Sequence, residues 1–361
     1  MNAPGAWASG AFGGTNMTAQ KLLGMSKTNR VLTIRPDGGI VQAARAMRRG
    51  QVGSLVVTDS AGRLVGLLTE RDMVFRVLAG ALDPLRTTAG DVMTAPARSC
   101  QGHEPIAAVQ ATMVRRKIRH LPVVRGGRVV GMISARDVMK WKAREDREMH
   151  ELTIFSLAKL AESRDTETGQ HLERVREYVA VLARRLRGRR SHRRRVSTDF
   201  VALLQTTSAL HDIGKVGIPD CILLKPDRLT DSEFAVMKTH TVQGAATLEA
   251  TLLRYPHAEF LRMARDVAAY HHERWDGQGY PEGRMQEDIP LAARIFAVAD
   301  VYDALVSKRV YKEAFGHPLA ARIIIDGKGT QFDPDVVEAF VACQDRLQAI
   351  HEQYTAARAA A

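Results

Sequence analysis

One stretch, AAYHHERWDGQGYPEG at residues 268–283, joins an apolar run to two adjacent histidines and then to a turn with three glycines and one proline. The apolar run is typical of a helix that packs against a core. A packing argument has little use for His271 beside His272, because buried ionisable groups are costly without partners. The pattern therefore predicts a helix that ends in a pair of ligands.

Other metal-capable side chains lie mostly at the ends of apolar helical runs through the second half of the chain. The full set is Glu167, His171, His211, Asp212, His240, His271, His272 and Asp300. A lone histidine on an apolar face is usually a core residue, but adjacent His-Asp and His-His pairs weaken that interpretation. Nitrogen and oxygen donors without a thiolate suit iron, manganese or zinc. The number of donors is enough for two or three divalent metal ions.

This half of the chain, over about residues 150–345, resembles the HD-GYP family of the HD phosphohydrolase superfamily. The resemblance is carried by the motifs RDTETGQHLERV, HDIGKVGIPD, MKTHTVQGA, HHERWDGQGYP and IPLAARIFAVADVYDAL. The family is all-helical and hydrolyses the bacterial messenger cyclic di-GMP at a two- or three-metal centre, usually of iron or manganese. The resemblance implies that the eight residues above are the metal ligands. Asp212 would be catalytic and bridge two metals, and Glu167 is expected in the three-metal members.

The same resemblance implies a substrate-binding set around the metals. Lys215, Arg309 and Lys312 match residues that contact substrate phosphate, and Lys215 is also expected to be catalytic. Tyr280, in the Gly-Tyr-Pro turn, matches a residue that lines the substrate site. The first product would be linear pGpG, and a second cut would give GMP. The alternative is that none of the three binds substrate: Lys215 would lie at the C-terminus of a helix, and Arg309 and Lys312 would form a pair on the surface.

The first half of the chain contains an internal repeat. AMRRGQVGSLVV at 46–57 matches TMVRRKIRHLPVV at 112–124, and RLVGLLTERDM at 63–73 matches RVVGMISARDV at 128–138. Each copy has a helical pattern, a short β-branched strand, a glycine turn, a second strand and a helix that opens at a serine or threonine. This order predicts α/β units.

These units resemble a tandem pair of CBS domains over about residues 28–142. The resemblance implies that an adenine nucleotide, ATP or AMP, is bound by Thr69 and Asp72 in the first copy and by Ser134 and Asp137 in the second. A helix N-terminus is a favourable place for phosphate. The alternative is that both acids bind no ligand and occupy the first helical turn because the helix dipole favours them there.

The predicted fold class is therefore multidomain, with an α/β module followed by an all-α domain. A flexible N-terminal tail is expected over 1–27, the regulatory CBS pair over 28–142 and a linker helix over 143–165. The HD-GYP phosphodiesterase domain is expected over 150–345 and a helical tail over 346–361. A homodimer is expected as well, because CBS pairs commonly associate and the linker helix offers an apolar seam.

The charge of the chain is concentrated in one segment. The net charge of the 361 residues is +12, and RRLRGRRSHRRR at 184–195 holds eight arginines and no acid. The rest of the chain therefore carries 12 − 8 = +4. The segment is either a solvated loop or helix end, or a docking patch for an acidic partner, a nucleic acid or a membrane surface. It contains no interleaved aromatic residues, so base stacking is unsupported.

Location and function follow from these patterns. No run of 18 apolar residues is present, the N-terminus lacks the pattern of a signal peptide, and the three cysteines are far apart, which favours a cytoplasmic protein. The leading hypothesis is a cyclic di-GMP phosphodiesterase regulated by an adenine nucleotide. One alternative is an HD hydrolase of another cyclic dinucleotide. The other is a non-catalytic nucleotide sensor, whose signature would be missing metal ligands.

Overall fold

The computed structural model of the chain describes residues 17–25, 31–164, 170–308 and 314–359. Its contacts divide the chain into two compact units, Met1–Glu148 and Met149–Ala361. Every named strand of the described residues lies in the first unit, and the second unit is helical. The predicted fold class, α/β followed by all-α, is confirmed.

Each copy of the repeat forms its own three-stranded sheet. The elements of the first unit are α1 (Ala19–Met25), β1 (Thr33–Ile34), α2 (Ile40–Gly50), β2 (Ser54–Thr58), β3 (Leu64–Thr69), α3 (Glu70–Asp72), α4 (Ala89–Val92), β4 (Cys100–Gln101), α5 (Ile106–Arg116), β5 (His120–Arg125) and β6 (Arg128–Ser134). The sheets are ordered β1-β2-β3 and β4-β5-β6. In both, the first two strands are parallel and the last two antiparallel. The sheet topology thus repeats with the sequence.

Helix α1 corrects the predicted flexible tail over 1–27. Leu22 and Leu23 of this helix are buried and belong to the same core as Cys100 and Ile106. The prediction is wrong for Ala19–Met25 because the small residues of the N-terminus conceal a short apolar pair. A helix of seven residues is not stable alone in water, and α1 is stabilised because these two leucines pack on the second sheet.

A single helix, α6 (Ala135–Glu162), runs across the boundary between the two units. It begins directly after Ser134 and contains neither glycine nor proline, which explains its length of 28 residues. Residues 143–162 of the linker helix predicted over 143–165 belong to this longer helix, which ends at Glu162.

Helices of the second unit pack around α12. In chain order, the second unit contains α7 (His171–Arg187), α8 (Thr198–Thr207), α9 (Asp220–Leu223), α10 (Asp231–Leu252), α11 (Glu259–Tyr270), α12 (Leu291–Val306), α13 (His317–Asp326), α14 (Pro334–Val341) and α15 (Gln344–Ala359). Helix α12 is buried on nearly all sides and contacts α7, α11, α13 and α14. A helix that is apolar all round is typical of such a central position.

The predicted helical tail over 346–361 is part of this core in its described portion. Leu347 and Ile350 of α15 are fully buried and belong to the same cluster as Tyr302 and Phe340. Helix α15 is therefore a structural element of the domain. The sequence of α15 has only a weak amphipathic pattern and so did not indicate that the helix packs against the core.

Candidate metal centre

Two groups of side chains in the second unit converge closely enough to hold metal ions. The first cluster is His240, His271 and His272, and the second cluster is His171, His211 and Asp300. Within each cluster the candidate ligand atoms lie within 4.8 Å of one another. These six residues all belong to the predicted ligand set, although they come from segments as far apart as α7 and α12.

Asp212 lies between the two clusters. Its Oδ1 atom is 3.2 Å from Nε2 of His240 and 3.7 Å from Nε2 of His271. Its Oδ2 atom is 3.0 Å from Nε2 of His211. Each carboxylate oxygen therefore faces a different cluster, which is the arrangement that a bridging ligand requires.

A glycine sets the position of Asp212. The turn that follows, Ile213–Gly217, packs against α10. A Cβ atom at Gly214 would lie 1.9 Å from the carbonyl oxygen of His240 and 2.5 Å from the amide nitrogen of Gly244. Only glycine permits this contact between two backbones. The HDIGK motif thus brings Asp212 beside His240 through main-chain packing.

Main-chain carbonyls orient three of the histidines. The Nδ1 atoms of His211, His240 and His271 each lie 2.8–3.1 Å from a carbonyl oxygen three or four residues earlier. An Nδ1–H group that donates to a carbonyl leaves Nε2 as the atom with the lone pair. The three Nε2 atoms are therefore available as ligands and point towards Asp212.

The fourth oriented histidine depends on Asp303, which is absent from the predicted ligand set. The Asp303 carboxylate lies 2.9 Å from Nδ1 of His171 and accepts hydrogen bonds from Nε and Nη2 of Arg174 at 2.6 and 2.8 Å. Burial alone would raise the pKa of Asp303, but the hydrogen bonds from Arg174 and His171 hold it well below its usual range. A buried carboxylate behind a histidine fixes the ring and raises its basicity as a ligand.

The chemistry of these atoms fits divalent cations. Nε2 of His240, Nε2 of His271 and Oδ1 of Asp212 are buried and make no hydrogen bond of acceptable geometry with the described residues. Burial and the neighbouring histidine lower the pKa of His271, and burial lowers the pKa of His272 to about 3. Neutral imidazoles at His271 and His272 beside an ionised carboxylate are the protonation states that a metal ion needs. Burial alone would lower the pKa of His211, but the charge of Asp212 raises it. Buried polar atoms without partners require such an explanation.

Lys215 lies at the edge of this centre. Its ammonium is 2.7 Å from Oδ2 of Asp212. Burial would raise the pKa of Asp212, but His211 and Lys215 together lower it well below its usual range. The carboxylate is therefore ionised, and the lysine contributes a positive charge beside it.

The Gly-Tyr-Pro turn places Tyr280 against the first cluster. The ring of Tyr280 stacks on His272, with centroids 4.8 Å apart and planes inclined at 29°. The turn itself is held by Glu273, a buried residue absent from the predicted set, whose Oε1 accepts the amide N–H of Glu282 at 2.8 Å. Gly279 permits the close approach, since a Cβ there would lie 2.5 Å from Cα of Glu273. The adjacency of Glu273 to the histidine pair was the only sequence signal for its role.

Three of the predicted site residues, Glu167, Arg309 and Lys312, lie outside the described residues. The structure places the other nine predicted residues of the helical domain around the two clusters. They are His171, His211, Asp212, Lys215, His240, His271, His272, Tyr280 and Asp300.

In the first unit, the predicted nucleotide-binding acids cap helices. Oδ2 of Asp72 accepts hydrogen bonds from the amide and hydroxyl of Thr69 at 2.9 and 2.6 Å. Asp137 makes the same two bonds with Ser134 at 2.9 and 2.5 Å. The alternative interpretation, helix-capping acids, therefore describes the geometry that is present in both copies.

Thr69 and Asp72 also line a cleft of about 630 Å³. Residues of the second copy complete its wall, among them Lys117, Arg119 and His120. Ser134 and Asp137 are not among the described residues that line this cleft. The cleft at Asp72 therefore has room and positive charge for a ligand.

The arginine-rich segment at 184–195 is partly anchored. Arg189 pairs with Asp335 at 3.0 Å and with Glu338, and buried His192 lies 2.7 Å from Asp335 through Nε2. These contacts fasten the segment to α14. The remaining seven arginines are exposed. A docking role for them stays a prediction.

The HD domain family model matches residues 156–336, half of the chain, and covers both clusters. The chain belongs to the HD domain family. Two CBS domain matches, at residues 23–79 and 89–144, cover the two sheets of the first unit. This HD domain protein therefore carries a tandem CBS pair, as the repeat predicts.

The HD domain protein is similar to several curated bacterial enzymes. It is 47% identical over 214 residues to a cyclic di-GMP phosphodiesterase of Vibrio cholerae, covering 59% of this chain and 44% of that protein. It is 41% identical over 194 residues to a cyclic di-GMP phosphodiesterase of Thermotoga maritima, covering 54% of this chain and 49% of that protein. It is 37% identical over 204 residues to a 3′3′-cGAMP-specific phosphodiesterase of V. cholerae, covering 56% and 37%. The chain thus spans half or less of the length of these relatives.

Among the described residues, no helix is both long and apolar enough to cross a membrane.

Proposed function

We propose that this HD domain protein is a metal-dependent phosphodiesterase that hydrolyses cyclic di-GMP. The observation that carries the proposal is the position of Asp212, whose two carboxylate oxygens face two different clusters of metal-capable side chains. The similarity to enzymes named cyclic di-GMP phosphodiesterases supports this choice of substrate.

The residues that would hold the metals are the two clusters, Asp212 between them and, in a three-metal version, Glu167. Iron and manganese suit this set of nitrogen and oxygen donors without thiolate. Divalent cations bound there would supply Lewis-acid polarisation of the phosphodiester and would activate water near neutral pH.

The side chains of the chain itself perform the remaining tasks. Water adds to phosphorus, the bond to the 3′ oxygen breaks, and that oxygen takes a proton, so that linear pGpG is the first product and GMP follows if the second diester is cut. Lys215, at 2.7 Å from Asp212, offsets negative charge that grows on the phosphate oxygens in the transition state. Arg309 and Lys312 are proposed to add two further cations. Tyr280, stacked on His272, forms one wall of the site.

A second candidate substrate is another cyclic dinucleotide. The relative named as a 3′3′-cGAMP-specific phosphodiesterase favours it, since that protein shares 37% identity over the matched region. A non-catalytic sensor is disfavoured, because every predicted ligand among the described residues joins the centre.

A hydrolysis assay with and without metal tests the function. Protein purified without oxygen and loaded with iron(II) or manganese(II) is expected to convert cyclic di-GMP to pGpG or GMP. Chelation is expected to reduce turnover to the background rate, and re-addition of the metal to restore it. Chromatography of the products and elemental analysis of the protein measure both effects. Turnover of 3′3′-cGAMP without turnover of cyclic di-GMP would establish the second candidate instead.

We propose further that an adenine nucleotide regulates the enzyme by binding in the cleft at Asp72, and that the protein acts as a homodimer. The cleft combines a helix N-terminus at Thr69 with the cations Lys117 and Arg119, which suits a phosphate-bearing ligand. The tandem CBS match supports the assignment of this cleft as the regulatory site.

The regulatory proposal predicts that Asp72→Asn weakens ATP or AMP binding by about tenfold, because a charged acceptor is lost. Basal turnover is expected to stay unchanged. A matched control is Asp91→Asn: Asp91 caps α4 by the same two hydrogen bonds to Thr88 but does not line the cleft. Calorimetry with each nucleotide compares the variants. Equal nucleotide affinity in Asp72→Asn and Asp91→Asn would show that the nucleotide does not bind in this cleft.

A further inference from the structure

A line of aromatic rings leads outward from the first metal cluster. His240 and His272 have ring centroids 5.3 Å apart, and Tyr280 stacks on His272. The ring of Phe234 then lies edge-on to Tyr280, with centroids 6.4 Å apart and planes inclined at 81°. The line begins at buried His240 and ends at Phe234, which is 46% exposed.

Lys238 lies over the outer end of this line. Its ammonium is 5.3 Å from the ring centroid of Phe234 and 5.7 Å from that of Tyr280. Both distances are within the range of a cation–π contact. In the described part of the chain Lys238 makes no ion pair with a carboxylate. The ammonium of Lys238 therefore lies near two rings, and no carboxylate of the described residues accepts its hydrogen bonds.

The start of α10 fixes these two side chains relative to the metal centre. Thr230 and Glu233 form a capping box at its first turn, and the amide of Phe234 donates to the Thr230 carbonyl at 2.8 Å. Phe234 and Lys238 are four residues apart and so share a helix face. His240 lies on the same helix. One rigid element thus carries a metal-cluster histidine, an exposed ring and a cation.

Single exposed phenylalanines are common and need no explanation. This one differs because two rings and a cation meet beside a predicted phosphodiesterase centre. Nucleobases stack on aromatic side chains. A lysine donates well to O6 and N7 of guanine, whereas adenine presents its N6 amino donor in place of O6.

We propose that Phe234, Lys238 and Tyr280 form a purine subsite that receives one base of the cyclic dinucleotide, with Lys238 selecting guanine over adenine. The proposal rests on the proposed function, since it names the base that this site accepts. Phe234 and Tyr280 supply stacking surface, and Lys238 supplies the donor that reads the guanine edge. None of the three belongs to the metal clusters.

Three variants test the subsite in the full-length, metal-loaded protein. Phe234→Ala is expected to lower kcat/KM for cyclic di-GMP by about tenfold through lost stacking, and Phe234→Trp to restore it. Lys238→Met keeps the length of the side chain and removes its charge. It is expected to lower the ratio of kcat/KM for cyclic di-GMP to that for 3′3′-cGAMP by about tenfold. The matched control is Val236→Ala, an exposed apolar position on the same helix.

A substrate without a base separates the two proposals. Hydrolysis of bis(p-nitrophenyl) phosphate, which has no guanine edge, is expected to be the same in Lys238→Met and in the Val236→Ala control, while competitive inhibition of that reaction by GMP weakens relative to AMP in Lys238→Met. If the wild type cleaves this diester but not cyclic di-GMP, the proposed function fails, and the inhibition by GMP still tests the subsite. Dinucleotide ratios and GMP inhibition that match the Val236→Ala control would overturn the subsite. Cleavage of neither diester by the wild type would overturn both proposals.

Discussion

Replacement of Asp212 by asparagine is expected to reduce hydrolysis of cyclic di-GMP by about 10³-fold or more. The side chain keeps its shape but loses the charge that both clusters share. One of its two ends becomes an NH₂ group, which cannot act as a ligand and would face the Nε2 atoms of His211 or of His240. We therefore expect the variant to lose metal as well as activity.

The two effects are measured separately. Elemental analysis gives the metal content, single-turnover assays give the rate, and circular dichroism checks the helical fold. Asp199→Asn is a suitable control, because Asp199 is an exposed acid in the first turn of α8 and belongs to neither cluster. An Asp212 variant with full metal content and wild-type turnover would exclude a bridging role.

The second large effect is expected at Asp303, and it concerns folding as well as the metal. Asp303→Ala leaves the guanidinium of Arg174 buried without its carboxylate. Removal of one partner of a buried ion pair costs about 3–5 kcal/mol in the free energy of unfolding. Urea denaturation of the chelated protein measures this loss without a contribution from bound metal.

A double variant distinguishes the two roles of Asp303. Asp303→Leu together with Arg174→Met replaces the ion pair by apolar side chains of similar volume, which is often neutral for stability. The double variant is expected to recover most of the stability, but metal affinity is expected to stay about 10- to 100-fold lower because His171 has lost its acceptor. Recovery of metal affinity together with stability would show that His171 needs no carboxylate behind it.

The centre was predictable wherever neighbouring residues in the sequence carry the signal. His211 with Asp212 and His271 with His272 are adjacent, and adjacent ionisable residues at the end of an apolar helix have few uses other than ligation. The repeat likewise predicted two α/β units, since each copy contains its own strands and turn.

The contacts that sequence reasoning missed join distant segments of the chain. Asp303 meets His171 across 132 residues, and Phe234 meets Tyr280 only after α10 and the Gly-Tyr-Pro turn have packed together. No local pattern marks either contact. Helix α1 was missed for a related reason, since its two buried leucines are recognisable only beside the second sheet.

The backbone contact at Gly214 also bears on which ions the centre can accommodate. Because Gly214 touches the main chain of α10, the separation of the Asp212 and His240 backbones is fixed, and only side-chain rotation can change the distance between their ligand atoms. His272 and Asp300 are the partly buried members of their clusters, whereas the four histidines that complete the clusters are buried. We expect an ion of larger radius to be accommodated mainly by those two side chains, because partly buried side chains are less confined than buried ones. On this expectation, the buried ligands limit the ionic radius that the centre accepts, and the two partly buried ligands adjust to the ion that is bound.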